Sequence, residues 1–222
     1  MLNTSDLIIS IDESIIAVNK PSGLRTIPDG YDQDKENLQS LLKIAFPDLM
    51  TVHRLDKETS GVILFARTKE AHRALNIQFQ ERKIKKKYWL IAHNIPEWDQ
   101  FDAKFPMVVN GDRRHRTIVN QAGKPSETLF FRHGYDQNKC LSFLEAIPHT
   151  GYTHQIRTHC SFLGFPILGD DLYSKQLTTS QLHLNNQVNR MMLHATSIEF
   201  IHPITNQKLL IETEVPFSLE KV

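Results

Sequence analysis

The sequence lacks the features that mark secreted and membrane-spanning chains. Its 222 residues include only two cysteines, Cys140 and Cys160, too few for a disulfide framework and suited to a reducing compartment. The longest apolar stretches, such as Gly61–Ala66, fall far short of the roughly 18 residues that a membrane span needs. The opening residues MLNTSDLIIS carry no basic segment and no small-residue cleavage site, so they contain no recognisable export signal. We therefore expect a cytoplasmic protein that does not cross a membrane.

Signatures of several common enzyme classes are also missing. The chain has no GxxxxGK[ST] loop, no GxGxxG after a strand, no HExxH and no CxxC, which disfavours ATP, nicotinamide and zinc chemistry. His154 and His159 lie on one predicted helix, but a spacing of five residues turns their side chains about 140° apart. We predict neither a metal site nor a cofactor.

Charge is nearly balanced overall but unevenly distributed. The net charge is +1, yet residues 67–93 hold eight Lys and Arg against two Glu, and residues 104–124 hold five against one Asp. Acidic residues such as Asp29, Asp32 and Asp34 lie elsewhere. Such segregation can attract a polyanion, but composition alone favours the simpler explanation, a solvated basic face with no partner.

Apolar patterning predicts an α+β fold with a mostly antiparallel, mixed β-sheet core and a few flanking helices. No linker or repeat interrupts the chain, so we expect a single domain over residues 1–222. Thr68 is expected to cap one helix, and Thr150 or Thr153 another. The predicted strands are Leu7–Ile11, Ser14–Lys20, Gly61–Arg67, Ile84–His93, Met107–Asn110, Thr128–His133, Leu141–Ile147, Leu193–Ile201 and Lys208–Val215, and the predicted helices are Leu38–Phe46, the segment after Thr68 that carries Ala71 to Phe79, and His154–Leu163.

The segment HRLDKETSG at 53–61 is the first candidate for chemistry. It precedes a predicted buried strand, a place where a rigid scaffold presents functional side chains. Asp56 is flanked by cations, which favour the ionised carboxylate. A turn built by Asp56, with Arg54 in a surface ion pair, accounts for the same residues.

The second candidate is TGYTHQIRTH at 150–159. Gln155 and Arg157 project near the positive N-terminus of the predicted helix, a position that suits phosphate or carboxylate. An ordinary amphipathic helix with a solvated Arg157 is the alternative, and spacing alone does not separate the two.

Several long motifs, in order, resemble the RluA-type pseudouridine synthases. They are IISIDESIIAVNKPSGL near the start, HRLDKETSG, KKKY at 85–88, GYTHQIRTHCSFLGFPILGDDLYS at 151–174 and LHATSIEFIHP at 193–203. The resemblance runs from about Leu7 to Pro216 and is closest to the short members, without an N-terminal S4 domain. It implies the pseudouridine synthase catalytic fold and an RNA-modifying isomerase.

The resemblance also implies roles for individual residues. Asp56 matches the catalytic aspartate, Tyr88 the tyrosine that stacks on the target base, and Arg157 the arginine that pairs with the catalytic carboxylate. Arg54 matches the arginine that enters the RNA stack, and Tyr152 stands where the family usually has an arginine. The remaining predicted RNA-binding residues are Gln155, Lys85, Lys86, Arg113 and Arg114.

The implied reaction is isomerisation of specific uridines in tRNA or 23S-type rRNA stem-loops by a cytoplasmic, monomeric enzyme that needs no metal or cofactor. Two alternatives stay open. One is a non-catalytic RNA-binding module of the same fold. The other is a glycosidic-bond hydrolase, which normally requires a second carboxylate as acid, with Asp170 or Asp171 the candidates.

Overall fold

The computed structural model describes residues 3–28 and 35–222, so Asp29, Asp32 and Asp34 lie outside the described residues. Two short 3₁₀ turns, Thr4–Leu7 and Leu219–Lys221, lie near the ends. The strands are β1 (Ile8–Ile11), β2 (Ile15–Lys20), β3 (Met50–Thr51), β4 (Ser60–Ala66), β5 (Lys85–His93), β6 (Gln100–Ala103), β7 (Met107–Val108), β8 (Ile118–Val119), β9 (Thr128–Asp136), β10 (Leu141–Pro148), β11 (Leu193–Ile201) and β12 (Lys208–Glu212). The helices are α1 (Leu38–Lys43), α2 (Lys69–Gln80), α3 (Gln155–Phe162) and α4 (Thr179–Gln187).

The chain forms two compact units. The first comprises Met1–Lys86 and Ala195–Glu214, and the second comprises Lys87–His194 and Val215–Val222. The chain passes from the first unit to the second within β5, after Lys86, and returns to the first within β11, after His194. That the two units act together as one catalytic domain over 1–222 stays a prediction.

The first unit is built on a sheet in which β1, β2, β4 and β11 are successive neighbours, with β3 on β4 and β12 on β11. The β1–β2, β2–β4 and β11–β12 pairs are antiparallel. Every residue of β4 is buried, as a continuous apolar run predicts. Ala71 and Leu75 of α2 join the apolar cluster of this sheet, so the helix buries one face against it.

Gly61 in β4 permits the close approach of β11. Its φ is +113°, and a Cβ there would overlap the carbonyl oxygen of Ala195 and lie 2.6 Å from the Ala195 nitrogen. Only glycine combines that backbone conformation with that lack of volume. Gly61, the last residue of HRLDKETSG, therefore allows the start of β4 to lie directly against the backbone of β11.

The second unit contains an antiparallel sheet in the order β5, β10, β9, β6, and a separate β7–β8 pair. One face of the sheet, carrying Leu90 and Leu144, forms an apolar cluster with Ile156 and Cys160 of α3. The helix therefore packs through the i, i+4 face that its sequence predicts.

The α+β fold with a largely antiparallel sheet is confirmed. Thr68 caps α2, accepting the Ala71 N–H at 3.1 Å. The predicted cap of α3 is wrong, because His154 precedes the helix with φ +58° and makes no side-chain cap. Among the described residues, α4, β6 and β8 were not predicted from the pattern, and no helix has the length and apolar content to cross a membrane.

Gly61→Ala should destabilise the protein by about 3 kcal/mol or more, because it adds an overlap to the strain of a left-handed φ. Gly23 is the matched control, since its φ is +85° but no atom lies within 4 Å of the position that a methyl group would take. Gly23→Ala should therefore lose only about 1 kcal/mol. Urea denaturation measures both, and equal losses would contradict the close-approach argument.

Candidate active site and RNA-contacting residues

Asp56 lies in the connection between β3 and β4. It opens a turn in which the Thr59 N–H donates to the Asp56 carbonyl at 3.2 Å. The preceding residue, Leu55, is buried, and its backbone is held on both sides by one hydroxyl: Thr26 Oγ1 donates to the Leu55 carbonyl at 2.9 Å and accepts the Leu55 N–H at 3.2 Å. The half-buried Asp56 therefore sits on a backbone that is fixed on either side.

A buried lysine holds the other half of this loop. Lys20 is fully buried, and its ammonium donates to the carbonyls of Pro21, Leu24 and Lys57 at 2.9, 2.7 and 3.0 Å. A buried ammonium is tolerated only where such acceptors replace water. The end of β2 thereby clamps the turn at 21–24 to the residue that follows Asp56.

Two further bonds join the same segments. The Gly23 N–H donates to the Lys57 carbonyl at 2.9 Å, and Ser22 Oγ donates to the Glu58 carbonyl at 2.6 Å. The NKPSGL turn is thus the physical support of the HRLDKETSG loop, which the sequence pattern alone did not indicate.

His53 secures the start of the loop and is a residue that sequence reasoning passed over. Its Nε2 accepts the Leu64 N–H of β4 at 3.0 Å, and its ring packs on Phe79 with centroids 4.8 Å apart. Burial, with the charge of Lys86 as a second cause, lowers the pKa of His53 to about 3. The imidazole is therefore neutral at physiological pH and acts as a structural acceptor.

The three cationic residues predicted to contact RNA in the first unit differ in their surroundings. Arg54 is exposed and makes no ion pair or hydrogen bond with any residue in the described part of the chain. Lys85 is exposed and pairs with Glu199 at 3.2 Å. Lys86 is half-buried, and burial lowers its pKa to about 8. Arg54 and Lys85 are thus presented to solvent.

Tyr88 lies in β5 opposite Ala146 of β10. Its half-buried side chain packs on the edge of the cluster that includes Leu90 and Ile156. An aromatic ring supported from below by apolar side chains is a suitable platform for stacking a base.

Arg157 projects from α3 into an ion pair with Asp170. Its Nε and Nη2 donate to the two carboxylate oxygens of Asp170 at 2.7 and 2.8 Å, and both side chains are almost fully buried. Asp170 also accepts the N–H groups of Leu172 and Tyr173 at 3.0 and 3.2 Å. This bidentate geometry fixes the guanidinium plane.

Gln155 is buried, and its amide is engaged at both ends. Its Oε1 accepts from Thr150 Oγ1 and the Tyr152 N–H at 2.7 and 3.2 Å, while its Nε2 donates to the Glu127 carbonyl and Thr128 Oγ1 at 3.0 and 2.9 Å. These contacts favour a role in shaping the loop before α3 over direct contact with RNA. The loop presents Tyr152, whose side chain is half-buried.

Arg113 and Arg114 lie on a loop, Gly111–Thr117, that we call the basic loop. Asp112 organises it by accepting the Arg114 and Arg116 N–H groups at 2.9 and 3.0 Å and the Arg116 Nε at 2.7 Å. The side chains of Arg113 and Arg114 are exposed, so the loop offers two cations outward while Arg116 is used internally.

The histidines considered as metal ligands are hydrogen-bonded within the protein. His159 lies 3.1 Å from Ser126 Oγ and 3.0 Å from Thr128 Oγ1, and burial lowers its pKa to about 4. His154 Nδ1 lies 3.2 Å from the Tyr173 hydroxyl. Across residues 3–28 and 35–222, no three His, Cys, Asp or Glu side chains are grouped as metal ligands.

A family model described as RNA pseudouridylate synthase matches residues 14–162, more than half of the chain. The chain belongs to this family. Its members are isomerases that convert uridine in RNA to pseudouridine, so this synthase acts on RNA. The match spans the loop of Asp56, the strand of Tyr88 and the helix of Arg157.

Curated relatives support the assignment over nearly the full length. The dual-specificity RNA pseudouridine synthase RluA of Pasteurella multocida is 36% identical, over 91% of this chain and 90% of its own. RluA of Escherichia coli is 31% identical over 95% and 94%. The ribosomal large subunit pseudouridine synthase C of Vibrio vulnificus is 35% identical over 98% of this chain and 68% of its own.

Two solved human structures have the same fold as this synthase. RNA pseudouridylate synthase domain containing 1 aligns with a TM-score of 0.80 and 27% identity, covering 97% of this chain and 85% of that one. RNA pseudouridylate synthase domain containing 4 aligns with a TM-score of 0.76 and 25% identity, covering 96% and 90%. The predicted pseudouridine synthase fold is thereby confirmed. That Asp56 of the first unit shares one cavity with Tyr88 and Arg157 of the second stays a prediction.

Lys20→Met should destabilise the synthase by about 2 kcal/mol or more, because it leaves buried carbonyl groups without their donor. It should also lower activity, since the Lys57 carbonyl next to Asp56 loses an anchor. Lys43→Met is the control: Lys43 is exposed at the end of α1, so its loss should change stability by less than about 0.5 kcal/mol. Urea denaturation at neutral pH compares them, and similar small losses would contradict the clamp.

Proposed function

We propose that this synthase isomerises specific uridines in tRNA or 23S-type rRNA stem-loops, with Asp56 as the acting carboxylate. The observation that carries the proposal is the anchoring of Leu55 and Lys57, the neighbours of Asp56 in the family's HRLD motif, by Thr26 and Lys20. The similarity to a ribosomal large subunit synthase and to dual-specificity RNA synthases supports a target of this kind.

The reaction breaks the N1–C1′ bond of uridine and joins C5 of the same uracil to C1′. Asp56 either attacks C1′ or removes the C2′ proton to give a glycal-like intermediate, and both routes require an ionised carboxylate. The proton on C5 leaves once the new C–C bond has formed, and N1 gains one. Substrate and product contain the same atoms, so the chemistry needs neither an energy source nor a redox cofactor.

The target uridine has to leave the RNA stack before Asp56 can reach its sugar. Flipping costs a few kcal/mol in lost stacking and pairing. Tyr88, supported by the apolar cluster beneath it, offsets part of that cost by stacking on the extruded base. Arg54 is exposed and suited to occupy the space that the base vacates.

Arg157 is proposed to pair with the Asp56 carboxylate. The Asp170 ion pair already orients its guanidinium, and a second carboxylate is within the donor capacity of an arginine. The pair would hold the carboxylate that acts on the sugar by charge-assisted hydrogen bonds.

The exposed cations contribute affinity rather than chemistry. Arg113, Arg114 and Lys85 are proposed to contact phosphates, which set binding strength and register but carry little sequence information. Choice of uridine then depends on RNA shape and on the loop of Tyr152. A monomeric state, the absence of a metal and a cytoplasmic location stay predictions.

A glycosidic-bond hydrolase is the less favoured function. It needs a protonated carboxyl group as acid, and the buried Asp170 is committed to Arg157 and to two backbone N–H groups. Asp171 is exposed and accepts from Asn185 Nδ2 at 3.4 Å. Neither Asp170 nor Asp171 is therefore a good candidate for the protonated carboxyl group that hydrolysis requires.

Asp56→Asn should reduce turnover by on the order of 1,000-fold or more, because it removes the group that acts on the sugar while keeping its shape. Tritium release from RNA labelled at uridine C5 measures turnover, and filter binding should show RNA affinity retained. Asp48→Asn, at an exposed aspartate of the same unit, is the matched control and should behave as wild type.

Each contrary result of that assay has a distinct meaning. Free uracil among the products would establish a hydrolase. Binding without tritium release from any cellular RNA fraction, by the wild type, would leave the non-catalytic RNA-binding module.

Tyr88→Phe should keep most of the activity, because its ring still stacks, whereas Tyr88→Ala should lose about 10- to 100-fold, the equivalent of one base–aromatic stack. Single-turnover rates on the mapped target RNA measure the difference. Equal losses in the two variants would rule out stacking as the role of Tyr88.

A further inference from the structure

Tyr173 occupies a central place in the second unit and has no role in the mechanism above. It is buried, and its hydroxyl accepts the Thr117 N–H at 3.0 Å and donates to the Thr117 carbonyl at 3.1 Å. Thr158 Oγ1 of α3 lies 3.2 Å from the same hydroxyl. The phenol thus fastens the last residue of the basic loop to the helix that carries Arg157.

Two guanidinium groups lie over the ring of Tyr173. The Cζ of Arg157 is 5.2 Å from the ring centroid, and the Cζ of Arg116 is 5.8 Å from it. Both distances lie within the range of a cation–π contact. The Tyr173 N–H also donates to Asp170 at 3.2 Å, so this residue touches both members of the Arg157–Asp170 pair.

Arg116 connects the ring to the rest of the basic loop. Its Nε donates to Asp112 Oδ2 at 2.7 Å, and Asp112 in turn accepts the Arg114 N–H at 2.9 Å. An unbroken series of contacts therefore runs from the loop with the exposed Arg113 and Arg114 to the guanidinium of Arg157.

We propose that Tyr173 is a positioning residue with two separable tasks: its hydroxyl seats the basic loop for RNA, and its ring holds the Arg157 guanidinium in its working orientation. The assignment rests on the proposed function for the roles of Arg157 and the basic loop. Because burial raises the pKa of the Tyr173 hydroxyl, the group keeps its proton, and with it its donor bond to Thr117, at neutral pH.

The two tasks predict different kinetic effects for two substitutions. Tyr173→Phe keeps the ring and removes the hydroxyl, so KM and the Kd for RNA should rise about fivefold while kcat stays within about twofold. Tyr173→Leu removes the ring as well, so kcat should fall a further tenfold or so because Arg157 loses its support. Rescue of kcat by phenylalanine separates positioning from a general loss of structure.

The chain offers a matched control for both substitutions. Tyr135 is also stacked under an arginine, with the Cζ of Arg132 at 5.3 Å from its ring, but it is 54% exposed and lies on β9, outside the network of Arg157. Tyr135→Phe and Tyr135→Leu should leave kcat, KM and Kd at wild-type values.

A double-mutant cycle tests the connection to the loop directly. Arg114→Ala should raise the Kd of the wild type by more than it raises the Kd of Tyr173→Phe, since the loop of that variant is already displaced. Additive effects would show that the hydroxyl does not act through the basic loop and would overturn that task.

Three further outcomes would contradict either one of the two tasks of Tyr173 or the proposed function. Equal loss of kcat in Tyr173→Phe and Tyr173→Leu with KM unchanged, measured on folded enzyme below the melting transition, would overturn the division of tasks. Filter binding needs no turnover, so an unchanged Kd for Tyr173→Phe overturns the loop task even if the wild type makes no pseudouridine. An inactive wild type would instead contradict the proposed function, which keeps the two failures distinguishable.

Discussion

The arrangement of the first unit depends on one buried cation. An ammonium removed from water loses several kcal/mol of hydration unless polar groups replace it, and Lys20 finds three backbone carbonyls within 3.0 Å. Those carbonyls come from two segments that are distant in sequence, the turn at 21–24 and the loop that follows Asp56. A displaced loop would leave the charge poorly solvated, so the requirement to satisfy Lys20 selects one conformation of the backbone around the proposed catalytic residue.

The second unit also buries a cation, but its partner is a carboxylate rather than a set of backbone carbonyls. Arg157 is buried beside Asp170, and breaking such a pair by removing one member leaves an uncompensated charge. The neighbouring His159 avoids that difficulty by staying neutral, with its pKa lowered to about 4. Lys20 and Arg157 are thus two buried cations whose directions are fixed by hydrogen-bonded partners.

Prediction from sequence succeeded where apolar residues decide the structure, as in the continuous apolar run of β4, the amphipathic face of α2 and the strand β5. It missed α4, because Thr179–Gln187 is mostly polar and buries only Asn185; the signal available was its capping box of Thr178 and Gln181. The start of α3 was predicted to within one residue, but its cap was not, since Thr150 and Thr153 are both good caps by residue type while the structure uses a left-handed His154. The motifs located the candidate residues, but the supports of Asp56 and Arg157, namely Lys20 and Asp170, depend on tertiary contacts that no local pattern encodes.

The predicted site residues fall into two groups. Some have side chains held in one conformation by the folded protein, and others have exposed side chains that are not held. Arg157 and Gln155 are fixed on folding by bidentate or fully engaged hydrogen bonds, so they lose no further freedom when RNA arrives. Arg54, Arg113 and Arg114 are exposed, and in the RNA complex proposed above each would lose about 0.5–1.5 kcal/mol of side-chain entropy. Such groups suit phosphates whose positions vary between RNA targets, whereas chemistry at C1′ demands a geometry set in advance. The residues ordered on folding therefore suit the proposed chemistry, and the exposed cations suit the proposed phosphate contacts.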